Sequence, residues 1–292
     1  MRRFDYFAPE SLSEAIAILR ERGDGGKLLA GGTDLVVQMK EAGLHPSHVV
    51  SLRRLHELHG IAFDESQGLR IGAMTTMAEI EQHPDLQRRY PVLVDGARIL
   101  GSVQTRNMAT LGGNVCNAAP SADTAPALLV LGARADIAGP GGRRQVPLEQ
   151  FFTGPGQTVL GRDEILVDFL IPTPGPRTGT YYERHTPRAE MDVAVVGVAA
   201  LVTLGPERDL IQEARIALGA TAPTPVRAPE AEASLVGQPP SEEAFQGAAE
   251  LAVGAARPIS DIRGSAAFRR HLVRVMTARC LRRAVERARS QT

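Results

Sequence analysis

Leu28-Leu29-Ala30-Gly31-Gly32-Thr33-Asp34-Leu35 is the stretch on which the fold turns. Lys27 to Ala30 reads as a buried strand, Gly31-Gly32 breaks it, and Leu35 to Lys40 has helical spacing. Glycine lets a backbone take positive φ and approach a ligand closely. The amides that follow, at a helix N-terminus, suit a phosphate or pyrophosphate, and Thr33 adds a hydroxyl. Alone, the pattern serves an ordinary tight turn equally well.

A second double glycine changes that balance. Thr110-Leu111-Gly112-Gly113-Asn114 is followed by Pro120-Ser121-Ala122-Asp123. Ser121 reads as the cap of a helix from Asp123 to Leu131, with the Asp123 carboxylate favoured by the helix dipole. The same carboxylate could instead contact a ribose or an adenine. Thr110 to Ala119 carries too many Gly and Asn to be expected in regular structure. Two such loops imply a dinucleotide more strongly than either alone. A P-loop is excluded, since no G-x-x-x-x-G-K-[ST] occurs; Gly23, Gly25 and Gly26 precede a strand and lack the third spaced glycine of a Rossmann fingerprint.

Outward from these loops, Ser11 and Glu14 have capping-box spacing ahead of a helix carrying Leu12, Ala15, Ile16 and Leu19. Strands are predicted at His48–Leu52, Leu69–Gly72, Ala135–Ala138 and Ile165–Ile171, and helices at Thr76–Gln82 and Val92–Leu100. Leu55–Leu58 reads as a short turn or helix, and Phe151-Phe152 are placed on a short helix. Pro172 to Gly179, rich in Pro and Gly, marks a domain boundary. Beyond it come strands at Tyr181–Arg184, Val193–Leu204 and Ile211–Leu218, a loop over Pro223–Pro229, a helix at Glu230–Leu235, and a helical stretch from Ser241 to Ala288 interrupted at Pro258–Gly264. The class is mixed α and β in at least two pieces.

Composition narrows the function. The 292 residues hold 33 Lys+Arg and 33 Asp+Glu, so no global field draws in nucleic acid or an anionic membrane. With only Cys116 and Cys280, the chain cannot bind an iron–sulfur cluster through four cysteines, and a reducing cytoplasm is the natural setting. Met1 to Glu10 lacks the apolar core of a signal peptide. Val193 to Leu204, the longest apolar run, falls short of the roughly 20 residues a membrane span needs. His56-Glu57-Leu58-His59 departs from H-E-x-x-H and reads as a surface turn, as do His45 and His48; no metal site is assigned. Cys116 reads as a small apolar thiol. Arg263, Arg269, Arg270, Arg274, Arg279, Arg282, Arg283, Arg287 and Arg289, offset only by Glu286, read as a solvated helical face ahead of a docking surface for an acidic partner.

Ala30 to Leu35, Gln104-Thr105-Arg106-Asn107-Met108-Ala109-Thr110-Leu111-Gly112-Gly113-Asn114 and Pro120 to Asp123 together resemble the FAD-binding medium subunit of the molybdenum hydroxylases, the family of xanthine dehydrogenase and aerobic carbon monoxide dehydrogenase. Tyr182-Glu183-Arg184, with Arg188, Asp192 and Ala194, and Ile262-Arg263-Gly264-Ser265-Ala266 with Phe268-Arg269, extend the resemblance over nearly the whole chain. It implies an α+β fold: a two-part FAD-binding domain of the vanillyl-alcohol oxidase type, residues 1–176, then a smaller α/β domain, residues 177–292. It also implies that Leu28, Leu29, Ala30, Gly31, Gly32, Thr33, Asp34 and Leu35 wrap the FAD pyrophosphate. Thr110, Leu111, Gly112, Gly113 and Asn114 would hold it from the other side, and Asp123 would reach the sugar. By the same resemblance Leu166 would border the flavin; Leu100 stands where some relatives carry a stacking aromatic, and Arg184 where animal xanthine dehydrogenases carry Lys. No catalytic residue is assigned.

The resemblance further implies partners: a large subunit with molybdopterin and a small subunit with two [2Fe–2S] clusters, assembled as a dimer of heterotrimers. Electrons would pass through FAD to NAD, a quinone or oxygen. A free-standing FAD-dependent oxidoreductase with its own substrate site is the alternative; the chain is short for one and has no convincing site of covalent flavin attachment. A scaffold that has lost its flavin is disfavoured by the intact loops.

Overall fold

The computed structural model describes residues 2–206 and 210–290. The chain opens with β1 (Asp5–Phe7), α1 (Leu12–Arg22), β2 (Gly26–Leu29), α2 (Leu35–Glu41) and β3 (His48–Ser51). Both β1 and β2 pair in parallel with β3, in the order β1-β3-β2. Parallel neighbours need crossovers, and α1 and α2 supply them. Ser11 accepts from the Glu14 amide at 3.2 Å, whereas the Glu14 carboxylate reaches the amide of Glu10 at 2.9 Å, so only half of the expected capping box forms. A complete box stands at Thr76 and Glu79, ahead of α3.

The chain continues with β4 (Ile61–Asp64), β5 (Gly68–Gly72), and six helices: α3 (Met77–Gln82), α4 (Pro84–Arg89), α5 (Pro91–Arg98), α6 (Val103–Arg106), α7 (Leu111–Cys116) and α8 (Thr124–Val130). The hairpin β6 (Arg134–Gly139) and β7 (Gly142–Pro147), the ribbon β8 (Phe152–Gly154) and β9 (Gln157–Thr158), and β10 (Ile165–Ile171) follow. Strands β4-β5-β10-β6-β7 form an antiparallel sheet of five.

The last part holds β11 (Thr178–His185), β12 (Val196–Leu204), β13 (Ile211–Gly219), β14 (Val226–Arg227), α9 (Pro229–Leu235), α10 (Glu242–Ala255) and α11 (Ala266–Arg289). Its antiparallel sheet, β11-β12-β13-β14, carries α9 and α11 on one face, and α10 packs against both of them. The other face meets α5 and α8, so Tyr182, Ala199, Leu201 and Ala217 join the N-terminal core. Burial on both faces is why β12 reads as an unbroken apolar run.

Several expectations are corrected. Thr110–Ala119 is not irregular: Thr110 caps the Gly113 amide at 3.0 Å and α7 forms in spite of its glycines. Ser121 does not cap α8, which starts after Asp123, itself without a capping bond. Phe151 closes a 3-10 turn and Phe152 opens β8. The loop expected over Pro223–Pro229 contains β14 and the first residue of α9. His48 is buried at 3% exposure, not on the surface. Strands β1, β4 and β7 lie outside the sequence reading: two are only 3 or 4 residues long, and β7 is almost wholly exposed, so apolar periodicity does not mark it.

The C-terminal arginines are balanced by carboxylates from elsewhere, not by Glu286 alone. Arg274 pairs with Glu250, Arg279 with Glu183, Arg282 with Glu242 and Arg287 with Asp95. Arg269 is buried, donating to the Val195 and Ala220 carbonyls and to Asp261. Much of this charge is therefore paired inside the chain.

Gly179 sets how closely α11 lies on β11. A Cβ there would stand 1.9 Å from the Ala284 carbonyl oxygen and 2.3 Å from the Ala288 amide nitrogen. Gly179→Ala is expected to cost about 1–3 kcal/mol through overpacking, read as a lower urea midpoint; an unchanged midpoint would mean the helix shifts freely.

Candidate functional site

A cleft of about 830 Å³ opens between the two glycine loops and reaches the C-terminal sheet. That volume is within the ordinary range for a small-molecule site. Leu28, Ala30, Gly31, Gly32, Thr33, Asp34 and Leu35 line one side; Thr110, Gly112, Gly113 and Asn114 line another; Leu100, Asp123, Leu166 and Arg184 complete the candidate set. Leu29 and Leu111 are not on its wall, and Leu111 is fully buried in the core.

The two loops contribute differently. In the first, the amides of Gly31, Gly32, Thr33, Asp34 and Leu35 find no acceptor among the described residues. Five successive N–H groups without partners would be costly if they met neither water nor ligand. In the second, Leu111 donates to Thr75 O, Gly112 to Ala73 O, Gly113 to Thr110 Oγ1 and Asn114 to Thr110 O. Its amides are spent, so it serves as a packed wall.

The loops also touch. A Cβ on Gly31 would lie 1.8 Å from the Met108 carbonyl oxygen, and one on Gly112 would lie 2.6 Å from the Ala73 Cβ. Both glycines are therefore required by the protein's own packing. Gly32, at φ +77°, is required by conformation.

Asp123 is turned away from the α8 amides. Its Oδ1 accepts from the Tyr182 hydroxyl at 2.9 Å and its Oδ2 from Arg184 Nη1 at 2.5 Å. Arg184 Nη2 donates to the Ile99 carbonyl at 2.7 Å. Burial pushes the Asp123 carboxyl up to about 6, with Arg184 and the Tyr182 bond acting against the rise. Burial also raises Asp34, and it pushes the Cys116 thiol up to about 12, which keeps it from serving as a thiolate.

Sequence reasoning did not assign a role to the lip formed by Met191, Asp192 and Val193, nor to Tyr182. Asp192 Oδ1 accepts from the Val193 amide and Oδ2 from the Arg188 amide, which holds its carboxyl below the usual range. For Tyr182 and Asp192 the signal was their place in the quoted motif; Met191 and Val193 carried none. A smaller cavity of about 360 Å³ shares Ser121, Val193 and Ala194 with the cleft and adds Arg257, Arg263 and Arg269. Among the described residues no cluster of His, Cys, Asp and Glu could hold a metal ion, and no helix is long and apolar enough to cross a membrane.

A glycine-loop cleft between an N-terminal α/β part and a sheet-and-helix C-terminal part defines a dinucleotide-binding protein of two domains. Residues 2–174 match the family described as the FAD binding domain in molybdopterin dehydrogenase, and residues 181–284 match the CO dehydrogenase flavoprotein C-terminal domain. The chain is 37% identical over 284 residues to the putative xanthine dehydrogenase FAD-binding subunit of Escherichia coli (strain K12), covering 97% of this chain and 96% of that one. It is 35% identical over 279 residues to the carbon monoxide dehydrogenase medium chain of Hydrogenophaga pseudoflava, covering 96% of each. A solved structure of that organism's carbon monoxide dehydrogenase, lacking the Mo-pyranopterin moiety of its cofactor, superposes with a TM-score of 0.94 over 98% of each chain at 35% identity. The chain belongs to the FAD-binding subunits of the molybdenum hydroxylases, of the xanthine dehydrogenase and carbon monoxide dehydrogenase type. It is an FAD-binding oxidoreductase subunit with an FAD-binding domain followed by a flavoprotein C-terminal domain.

Proposed function

We propose that this chain takes electrons from an iron–sulfur subunit into its FAD and delivers them to an external acceptor. The row of unpaired amides from Gly31 to Leu35 carries the reading, because a pyrophosphate supplies the acceptors those groups lack. Bound there, FAD supplies the exchange between one- and two-electron carriers, while the protein positions it and tunes its potential. Ala30 to Leu35 and Leu28 hold the pyrophosphate; Thr110, Gly112, Gly113 and Asn114 close the opposite wall. Leu100 and Leu166 give apolar contacts, and Arg184 gives a fixed positive charge. Asp123, with both carboxylate oxygens already engaged, holds Arg184; a sugar contact would use its remaining lone pairs.

The domains are assigned as 1–176 and 177–292, the first of the two-part vanillyl-alcohol oxidase type: a parallel piece carrying the first loop and an antiparallel piece flank the cleft. The relatives named as medium chains support assembly with a molybdopterin-containing large subunit and a [2Fe–2S] small subunit, in a dimer of heterotrimers in the cytoplasm. Two cysteines leave cluster chemistry to the partner. The acceptor on this reading is NAD, a quinone or oxygen.

Reconstitution tests this. The isolated holo-chain is expected to be bleached by dithionite and to stay oxidised with a purine, an aldehyde or carbon monoxide. Adding the large and small subunits should make flavin bleaching substrate-driven. Rapid bleaching of the isolated chain by one of those substrates would favour the free-standing oxidoreductase.

A further inference from the structure

β11 carries two rows of side chains. Alternation along a strand puts Tyr182 and Arg184 on one face and Tyr181 and Glu183 on the other. The second face belongs to α11, where Arg279 pairs with Glu183 and Arg287 lies 4.7 Å above the Tyr181 ring. The first face belongs to the FAD-binding domain, where Tyr182 and Arg184 converge on the two oxygens of Asp123. Tyr182 is 4% exposed, and its hydroxyl has a place because position 197 on β12 is glycine: a Cβ there would stand 2.6 Å from it. The Tyr182 amide donates to Asp95 Oδ2 at 3.3 Å, and Arg287 clamps the same carboxylate at 2.6 Å while donating to Thr180 O. A tyrosine of the C-terminal domain is thereby fixed at both its backbone and its hydroxyl against the flavin domain.

We propose that Tyr182 is a positioning residue: by holding Asp123 it fixes the charge balance that Arg184 presents to the flavin cleft, so the C-terminal domain helps set the redox poise of FAD. This rests on the reading of the cleft as the flavin site. Arg184 lines that cleft with its side chain only 5% exposed, so its charge is weakly screened and its one carboxylate partner matters. With Asp123 ionised, the pair is neutral. With Asp123 protonated, the guanidinium charge is unbalanced and favours reduced flavin, which is the more negative form.

Other charged groups surround the pair. Asp95 of α5 and Arg287 of α11 stand behind Tyr182 and neutralise each other; Arg98, ending α5, is turned to Glu81. Asp34, Cys116 and Asp192 also line the cleft. Cys116 stays protonated at neutral pH, and Asp192 is held ionised by the Val193 amide and Arg188. Asp34, raised by burial, is the competing titration.

The test is the midpoint potential of bound FAD in the full complex from pH 5 to 8, for the parent and for Tyr182→Phe, Asp123→Asn and Asp34→Asn. The parent should show an inflection near the Asp123 value of about 6, beyond the flavin's own dependence. Asp34 belongs to the loop that holds the pyrophosphate, so Asp34→Asn is read only on its FAD-loaded fraction, where the inflection should remain. Asp123→Asn should abolish it and, at pH 8, shift the reduced-to-oxidised ratio about tenfold toward reduced, or about 30 mV for a two-electron couple. Tyr182→Phe, having lost a bond that lowers the Asp123 carboxyl, should move the inflection upward. Unchanged potentials and profiles in Tyr182→Phe and Asp123→Asn would overturn the proposal. So would loss of FAD from a folded Tyr182→Phe, because the residue would then be retaining the cofactor instead of tuning it. If the cleft reading itself were wrong, Gly31→Ala would leave FAD binding intact, which separates the two failures.

Discussion

A chain carrying Gly31→Ala is expected to fold and to lose most of its FAD. The added methyl would sit 1.8 Å from the Met108 carbonyl oxygen and 3.1 Å from the Ala109 Cα, both backbone atoms with little freedom to retreat. The two loops must then part, and the amides of Gly31 to Leu35 move off the position at which they would grip a pyrophosphate. Overpacking of this kind costs about 1–3 kcal/mol after relaxation. Borne by the bound conformation, it weakens binding by about 10- to 100-fold. The overlap is confined to two surface loops, so circular dichroism should stay that of the parent. Gly43→Ala is the control. Its φ of +73° adds a backbone strain that Gly31 does not have, but a Cβ there meets nothing within 4 Å, and FAD should be retained. Fluorescence titration of the apoprotein with FAD measures both. Parent-like affinity in Gly31→Ala would remove the first loop from the flavin site.

Arg184→Ala is expected to carry the largest stability penalty, and the penalty should depend on pH. Arg184 and Asp123 have side-chain exposures of 5% and 7%, so removing the guanidinium leaves a buried carboxylate with only the Tyr182 hydroxyl. Among the described residues Asp123 has no other partner, and breaking one side of such a pair costs about 3–5 kcal/mol. Burial already raises the Asp123 carboxyl to about 6 from 3.8, and Arg184 opposes that rise; without Arg184 the value goes higher. A folded-state acid raised above its unfolded value takes up protons more readily in the native state. Stability is therefore highest below the unfolded value and falls as pH climbs through the folded one. The variant should be close to the parent at pH 5, where its carboxyl is neutral, and carry the full penalty at pH 8. Urea unfolding at the two pH values decides it; an equal loss at both would show that lost packing, not an orphaned charge, is responsible.

Elements with strong local signatures were legible in the sequence. The strand–Gly-Gly–helix at Lys27 to Lys40, the apolar β12 and β13, and the Ser11-capped α1 follow from periodicity and end-signals that neighbouring residues carry by themselves. Local propensity misled at α7. Two glycines and two asparagines argued against a helix, yet the Thr110 cap and contact with Ala73 and Thr75 hold the turn. Tertiary context outweighs a propensity deficit of about 1 kcal/mol per glycine.

By itself, the sequence determined that two glycine loops exist, that the chain cannot ligate an iron–sulfur cluster through four cysteines, and which face of each long element is apolar. It did not determine what each polar group does. Only the tertiary structure decided that the first loop keeps its amides free while the second spends them, and that Gly31 is demanded by Met108. Likewise, Asp123 answers to Tyr182 and Arg184, 59 and 61 residues away, and Arg287 to Asp95, 192 residues away. The physical reason is range. Backbone periodicity and capping are set within a turn or two of chain, whereas the partner of a buried charge or an unpaired amide is fixed by whichever distant element packs against it.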